Sequence, residues 1–401
     1  MENKFEMLDT VVLTLKRDKF SILEPDSFSP SASRLLDTGY RLGGRANMRC
    51  YQNPSKRELN NGIYKPRLTL TGRINKEHNF EAELRIEASI PKLLYKNNFN
   101  ELEDKDFYDA VILLSQKLED MGVRVDETDL VSAQISLVHF GKNILLDDGS
   151  IPFTYLNEIR KANITKRLDF NQTDFRNEGH STKFRANYFE VIFYDKKKDL
   201  EKAKISDKRA EEKDNSIQIN LFEENPIKRP FEVMRMEVRL NQRQKIRQIL
   251  AKIGLNIEPT FQNLFNTEIS KKVLSYYLNE IEVTYPKMLY FKPKTTKDFL
   301  AQFIIDNPKS KLNDSILALG FYTALDDVST REIRELLKRY PLSSWYSFIK
   351  RMNSFNYTQN KSSPFQVIKN AINEFKPLKL VDYQDELLNN DKYEASTILH
   401  N

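Results

Sequence analysis

A tyrosine closes the alternating stretch NYFEVIFYDKKKDL (residues 187–200), and Asp195, Lys196, Lys197 and Lys198 follow it at once. A phenol is a poor nucleophile at neutral pH because its pKa is about 10. Cations nearby stabilise the developing phenolate and reduce its repulsion from a phosphodiester, so Tyr194 with Lys196 and Lys197 suits attack on phosphorus. Such an attack leaves a phosphotyrosine and a free hydroxyl and keeps the bond energy for resealing. A tyrosine that merely closes a sheet edge explains the same spacing at least as well, since tyrosine favours strands.

Two acidic residues sit on polar strand faces, Glu87 in ELRIEAS and Glu237 in VMRMEVRL. The chain has one cysteine, Cys50, and four histidines, His78, His139, His180 and His400, which excludes a thiolate or multi-histidine zinc site. A metal held here relies on carboxylates, which points to Mg2+ or Mn2+ with Glu87 and Glu237 as ligands. Salt bridges to Arg85, Arg235 or Arg239 account for the two glutamates equally well on spacing alone. His139 is a third ligand candidate. It is in phase with Ala133, Ile135 and Leu137, so without a bulge it points into the apolar layer as a core histidine. The chain contains no phosphate-loop, dinucleotide, nucleophile-elbow or zinc-protease motif. RLGGRAN (41–47) is either a phosphate-binding turn or a flexible loop.

These residues need strands to hold them, and period-two patterning supplies them. Leu84, Ile86 and Ala88 oppose Arg85, Glu87 and Ser89. Met234, Met236, Val238 and Leu240 oppose Arg235, Glu237 and Arg239. Leu68 and Leu70 oppose Arg67, Thr69, Thr71 and Arg73, and Phe189, Val191 and Phe193 oppose Glu190, Ile192 and Tyr194. Each strand has one apolar and one charged face, the pattern of an antiparallel α+β layer rather than of a buried parallel sheet. A charged face is commonly just solvated. Several strands mixing Arg and Glu on one face favour a site, with carboxylates for a cation and Arg67, Arg85, Arg235 and Arg239 for phosphate.

Further strands are expected at 9–16 and 131–143, and helices at 105–122, at 151–163 and after residue 241. The stretch holding GYRLGGRANMRCYQNPSKR reads as a long polar loop, and 204–230 as a charged surface insertion. From about residue 256 the pattern turns helical. Within STREIRELLKRYPLSSWYSFIKRMN (329–353) a capped helix, a turn at Tyr340–Pro341 and a second helix from Ser343 form either a helix-turn-helix, with Ser344, Tyr346 and Lys350 meeting DNA, or two helices of a bundle. The expected organisation is therefore a sheet domain over 1–255, a helical domain over 256–380 and a polar tail over 381–401. A net charge of +6 suits a partner that is a polyanion but decides little alone. No window approaches eighteen uninterrupted apolar residues and the start has no apolar signal core, so a soluble, cytoplasmic protein is expected.

In their order along the chain, LRIEASIPKLLYKNNF (84–99), the strand at 131–143, VIFYDKKKDL (191–200) and VMRMEVRLNQR (233–243) resemble the replication initiators of the filamentous-phage gene II/X family, which includes plasmid proteins. The likeness runs to roughly residue 255 and continues weakly beyond. It implies a nickase-like antiparallel sheet and a metal-dependent, site-specific endonuclease that nicks one strand of an origin. A tyrosine becomes linked to the 5′ phosphate while the 3′ hydroxyl primes rolling-circle synthesis. The family's Tyr-x-Lys element falls on Tyr194 and Lys196, and its arginine-glutamate strand on Arg235 and Glu237. The implied partners are single-stranded or supercoiled origin DNA and a host helicase and polymerase in the cytoplasm, with no membrane. Where the family strand often reads Arg-Ile-Asp, this chain has Gln134, Ile135 and Ser136. A non-catalytic origin binder, or a transposition or conjugation nickase, is the alternative reading.

Overall fold

A computed structural model of the chain describes residues 8–36, 47–74, 80–146, 149–162, 178–199, 232–374 and 376–378. The Gly43–Gly44 pair, the whole charged insertion at 204–230, the tail at 381–401, His78 and His400 lie outside the described residues.

The strands are β1 (Leu8–Lys16), β2 (Ser21–Ile22), β3 (Asn47–Gln52), β4 (Arg67–Ile74), β5 (Phe80–Ser89), β6 (Val123–Arg124), β7 (Gln134–Leu146), β8 (Ser181–Ala186), β9 (Phe189–Asp195) and β10 (Glu232–Leu240). All but β2 and β6 join one eight-stranded sheet in the order β3-β4-β5-β1-β7-β10-β9-β8. Every neighbouring pair is antiparallel. The fold is thus α+β with a large antiparallel sheet and a mostly helical C-terminal region.

The alternation read from the sequence sets which face is buried. Val11, Leu13, Leu70, Leu84, Ile86, Val138, Phe140, Val191, Phe193, Met234, Met236 and Val238 all lie in one core. Helices cover that face: α1 (Ile90–Tyr95), α2 (Phe107–Asp120), α3 (Pro152–Arg160), α4 (Arg243–Lys252), α5 (Thr267–Glu282) and, near the end of the described chain, α10 (Gln366–Glu374). Helix α5 packs on β7 and β10, and α10 packs on β7. The layer that shields the sheet is therefore completed by residues beyond 255. Between α5 and α10 lie α6 (Thr296–Asp306), α7 (Leu312–Asp327), α8 (Thr330–Leu336) and α9 (Leu342–Ser354).

Two expectations need correction. The stretch read as a polar loop holds β3, and β8 was not expected at all. Both strands are sheet edges with short, polar sequences, NMRCYQ and STKFRA. An edge strand has a single neighbour, so pairing with β4 or β9 defines it without strong apolar alternation. The second correction concerns phase in β7. Val12 stands opposite Leu137 but Leu13 stands opposite Ile135, so Ser136 is an extra residue, a β-bulge. The Ser136 hydroxyl lies 3.3 Å from the Val12 carbonyl, to which it donates. Beyond the bulge the pleat is inverted, and His139 turns onto the polar face beside Glu237. It is not a core histidine. A second bulge in β1, where Leu8 faces Phe140 and Thr10 faces His139, leaves Asp9 as the extra residue over the same face.

Candidate active site

The polar face carries its densest set of charges where β1, β7, β10 and β9 run side by side. Register places Arg235 beside Tyr194 on one flank and Asn143 on the other, and Arg239 beside Glu190 and His139. Tyr194 is half-buried, and its hydroxyl donates to Glu237 Oε2 at 3.4 Å. The other oxygen, Oε1, accepts from Arg239 Nε at 2.8 Å and faces His139 Nδ1 at 3.4 Å.

Arg235 is buried and fully turned to the protein. Its Nη2 donates to Asp9 Oδ2 at 2.6 Å and its Nη1 to Asn143 Oδ1 at 2.8 Å. Gly141 makes this arrangement fit, because a Cβ there would stand 2.5 Å from Nη2. The Arg235 Nε is buried with no partner among the described residues.

Lys196 opens the helical turn that follows β9, and Asp195 caps that turn by accepting from the Lys198 backbone N–H at 3.0 Å. The Lys196 ammonium is buried against the Phe99 ring, 5.2 Å from its centroid, and the Tyr194 ring, 5.8 Å from its centroid. It donates to Asn98 Oδ1 at 2.6 Å. Lys197 beside it is exposed.

Burial and neighbouring charge shift each of these groups in a consistent direction. Burial, reinforced by the Glu237 charge, pushes the Tyr194 phenol well above its ordinary value, so it is protonated at rest. Burial pulls Lys196 down to about 7, and the Arg235 charge adds to the effect. Burial also lowers His139 to about 4 against the pull of Glu237, so its imidazole is neutral at pH 7. For Glu237, burial acts upward, but Arg239, His139 and Arg235 outweigh it and hold the carboxyl well below the usual range.

The remaining expected residues lie elsewhere. Glu87 is exposed and level with Arg67 and Val12, whereas Glu237 is level with Gly141. The offset of three strand spacings and four residues along the strands separates their backbones by roughly 19 Å. One small site cannot hold both as ligands. Arg67 and Arg85 lie on the same open face over β4 and β5, with Arg85 exposed. Lys350 and Ser344 are exposed on α9, which packs through Trp345, Ile349 and Met352, with Trp345 edge-on to Phe321 of α7.

Sequence reasoning missed Asp9, Asn98, Gly141 and Asn143. A glycine inside HFGKN was the one available signal, since glycine in a strand interior marks a close approach. Among the described residues no cluster of three His, Cys, Asp or Glu is arranged to hold a metal ion. Glu237 and His139 offer a pair of donors, which fits a hard cation only if substrate phosphate and water complete its shell. Comparison with protein-family models, with curated proteins and with solved structures finds no match to this chain. Among the described residues no helix is long and apolar enough to cross a membrane.

Proposed function

We propose that this chain is a rolling-circle replication initiator that nicks and rejoins one strand of origin DNA, with Tyr194 as the nucleophile. The reading is carried by Tyr194 Oη lying 3.4 Å from Glu237 at a strand end where Lys196, Arg235 and Arg239 converge. A nickase of the gene II/X type, suggested by the order of sequence motifs, uses this combination of phenol, acid and cations.

In the proposed reaction the phenolic oxygen attacks phosphorus and the bond from phosphorus to the 3′ oxygen breaks. The products are a 5′-phosphotyrosine and a 3′ hydroxyl. The phenol's proton leaves through the hydrogen bond it already makes to Glu237 and on to solvent, and the departing 3′ oxygen takes a proton from solvent. Lys196, against the Tyr194 ring, favours the adduct electrostatically in its ammonium form. A magnesium or manganese ion, when bound by Glu237 and His139, would polarise a non-bridging phosphate oxygen. Arg239 supplies a guanidinium to the phosphate, and the open face over β4 and β5, with Arg67 and Arg85, extends the positive path for a single strand.

The test uses supercoiled DNA of the replicon that encodes the chain, with magnesium. A relaxed product covalently attached at Tyr194, found by peptide mapping, is expected. Tyr194→Phe should abolish the adduct while fold and DNA binding persist, and an equal adduct yield from that variant removes the assignment.

A second reading, a non-catalytic DNA binder on the same scaffold, draws on a specific observation. Glu237 is already engaged by Arg239, Asp9 by Arg235, and the phenol is pushed toward its protonated form. A salt-sensitive mobility shift with no adduct in the same incubation favours this reading.

A further inference from the structure

The loop at 97–101 has no place in the reading above, yet it joins the end of the described chain to the reaction centre. Among the described residues β1 pairs with β7 no further than Leu8 opposite Phe140, and no strand on that side takes the backbone N–H of Asn143. Glu101 takes it instead, accepting from Asn143 N at 2.6 Å through Oε1. Its Oε2 accepts from the buried Lys142 Nζ at 2.5 Å and from Leu378 N at 3.0 Å. The Glu101 N–H donates to the Leu378 carbonyl at 3.0 Å, and Lys142 Nζ also donates to the Lys376 carbonyl at 2.6 Å. Residues 376–378 are therefore strapped to this loop.

The same loop reaches the site from its other end. Asn143 Nδ2 donates to the Phe99 carbonyl at 2.9 Å while Asn143 Oδ1 accepts from Arg235. Asn97 pins the loop by accepting from Phe99 N at 2.9 Å and Asn100 N at 2.8 Å. Phe99 and Asn98 then cover Lys196, and among the described residues no carboxylate lies within salt-bridge distance of that buried ammonium. A buried lysine held by one neutral acceptor takes its position from that acceptor.

We propose that Asn98 is the positioning residue for Lys196, and that the strap at 376–378 holds it there through Glu101. The catalytic consequence rests on Tyr194 being the nucleophile; the positioning itself does not. Other groups act on Lys196 from around it: Arg235 on β10 lowers its proton affinity, and Asp9 on β1, Asp199 in its own turn and Glu237 on β10 raise it. Asn98 supplies the direct hydrogen bond.

Two readouts separate this inference from the nicking reading. The first is the NMR titration of the Lys196 side chain in lysine-labelled full-length protein, assigned with Lys196→Met. Asn98→Leu removes an acceptor from the charged form, so its midpoint should move to lower pH. Asn98→Asp adds a carboxylate, so its midpoint should move to higher pH. Leu378→Pro deletes the N–H that donates to Glu101 and should follow Asn98→Leu in direction. The second is the rate of adduct formation, which should fall about tenfold or more in Asn98→Leu, the worth of a hydrogen bond to a charged group. DNA affinity should stay within about twofold, because Asn98 faces the lysine. If Asn98→Leu and Asn98→Asp leave the Lys196 titration where it was, the positioning role is wrong. An unmoved titration in Leu378→Pro removes the strap. Failure of the wild type to form any adduct refutes the nicking reading, and the titration still decides the role of Asn98.

Discussion

Gly141→Ala tests the construction of the site without assuming any reaction. An added Cβ would stand 2.5 Å from Arg235 Nη2 and 2.9 Å from Cζ, so something must move. The far end of an arginine is ordinarily easy to displace, but this one is buried and held at 2.6 Å by Asp9 and 2.8 Å by Asn143. Moving Nη2 breaks the bond to Asp9 first. Losing a hydrogen bond to a charged group costs about 1.5–3 kcal/mol. Separating a buried ion pair outright costs about 3–5 kcal/mol. The guanidinium can keep its bond to Asn143, so the expected destabilisation lies between these limits, about 2–4 kcal/mol. Urea unfolding followed by circular dichroism measures it. A double-mutant cycle identifies the cause: with Arg235→Leu already in place, Gly141→Ala should cost less than about 1 kcal/mol, because alanine then meets no guanidinium. If Gly141→Ala costs the same in both backgrounds, or costs nothing in the wild type, the packing of Arg235 over Gly141 does not hold the site together.

Two further predictions concern pH. Glu237 has its folded-state pKa held below the unfolded value of about 4.3, so its contribution is present above that pH and is lost as pH falls. Glu237→Gln should therefore be less stable than wild type by about 2–4 kcal/mol at pH 7, with the gap narrowing below about pH 4; a gap independent of pH in urea titrations would refute the charge pairing. His139 is lowered from 6.5 to about 4, so keeping it neutral in the fold costs stability progressively as pH falls through that window. His139→Asn should flatten the stability curve between those pH values, and an unchanged slope would mean that the imidazole charges freely in the folded protein.

The strands that build the site were legible because burial on one face enforces strict alternation. Glu190, Ile192 and Tyr194 share a face in the structure as their spacing requires, with Arg235, Glu237 and Arg239 beside them. The failures have two physical origins. Alternation cannot report an extra residue, and the bulge at Ser136 reverses every phase after it, which is why His139 read as a core residue. Alternation also cannot report strand order. Glu87 and Glu237 have equivalent local patterns, but β1 and β7 lie between their strands. Asn98 was illegible for a different reason: it lies in a loop, KNNFN, whose position depends on the bond from Glu101 to the Asn143 backbone of β7.

In the proposed nicking reaction, the distribution of exposure over the two arginines decides which of them meets the DNA phosphate. The side chain of Arg235 is 3% exposed and that of Arg239 is 33% exposed. Arg235 cannot turn toward a phosphate without abandoning Asp9 and Asn143, at the cost worked out above, so its part is to fix β1, β7 and β10 in register and to depress the proton affinity of Lys196. Arg239 is bonded to Glu237 at 2.8 Å and lies 3.8 Å from Glu190, which Lys183 and Arg185 already neutralise. It can exchange Glu237 for an incoming phosphate, and that exchange has a second effect. Glu237 without its guanidinium is a stronger acceptor for the Tyr194 hydroxyl and for a cation. In the proposed nicking reaction, phosphate binding and release of Glu237 toward the phenol are thus one event.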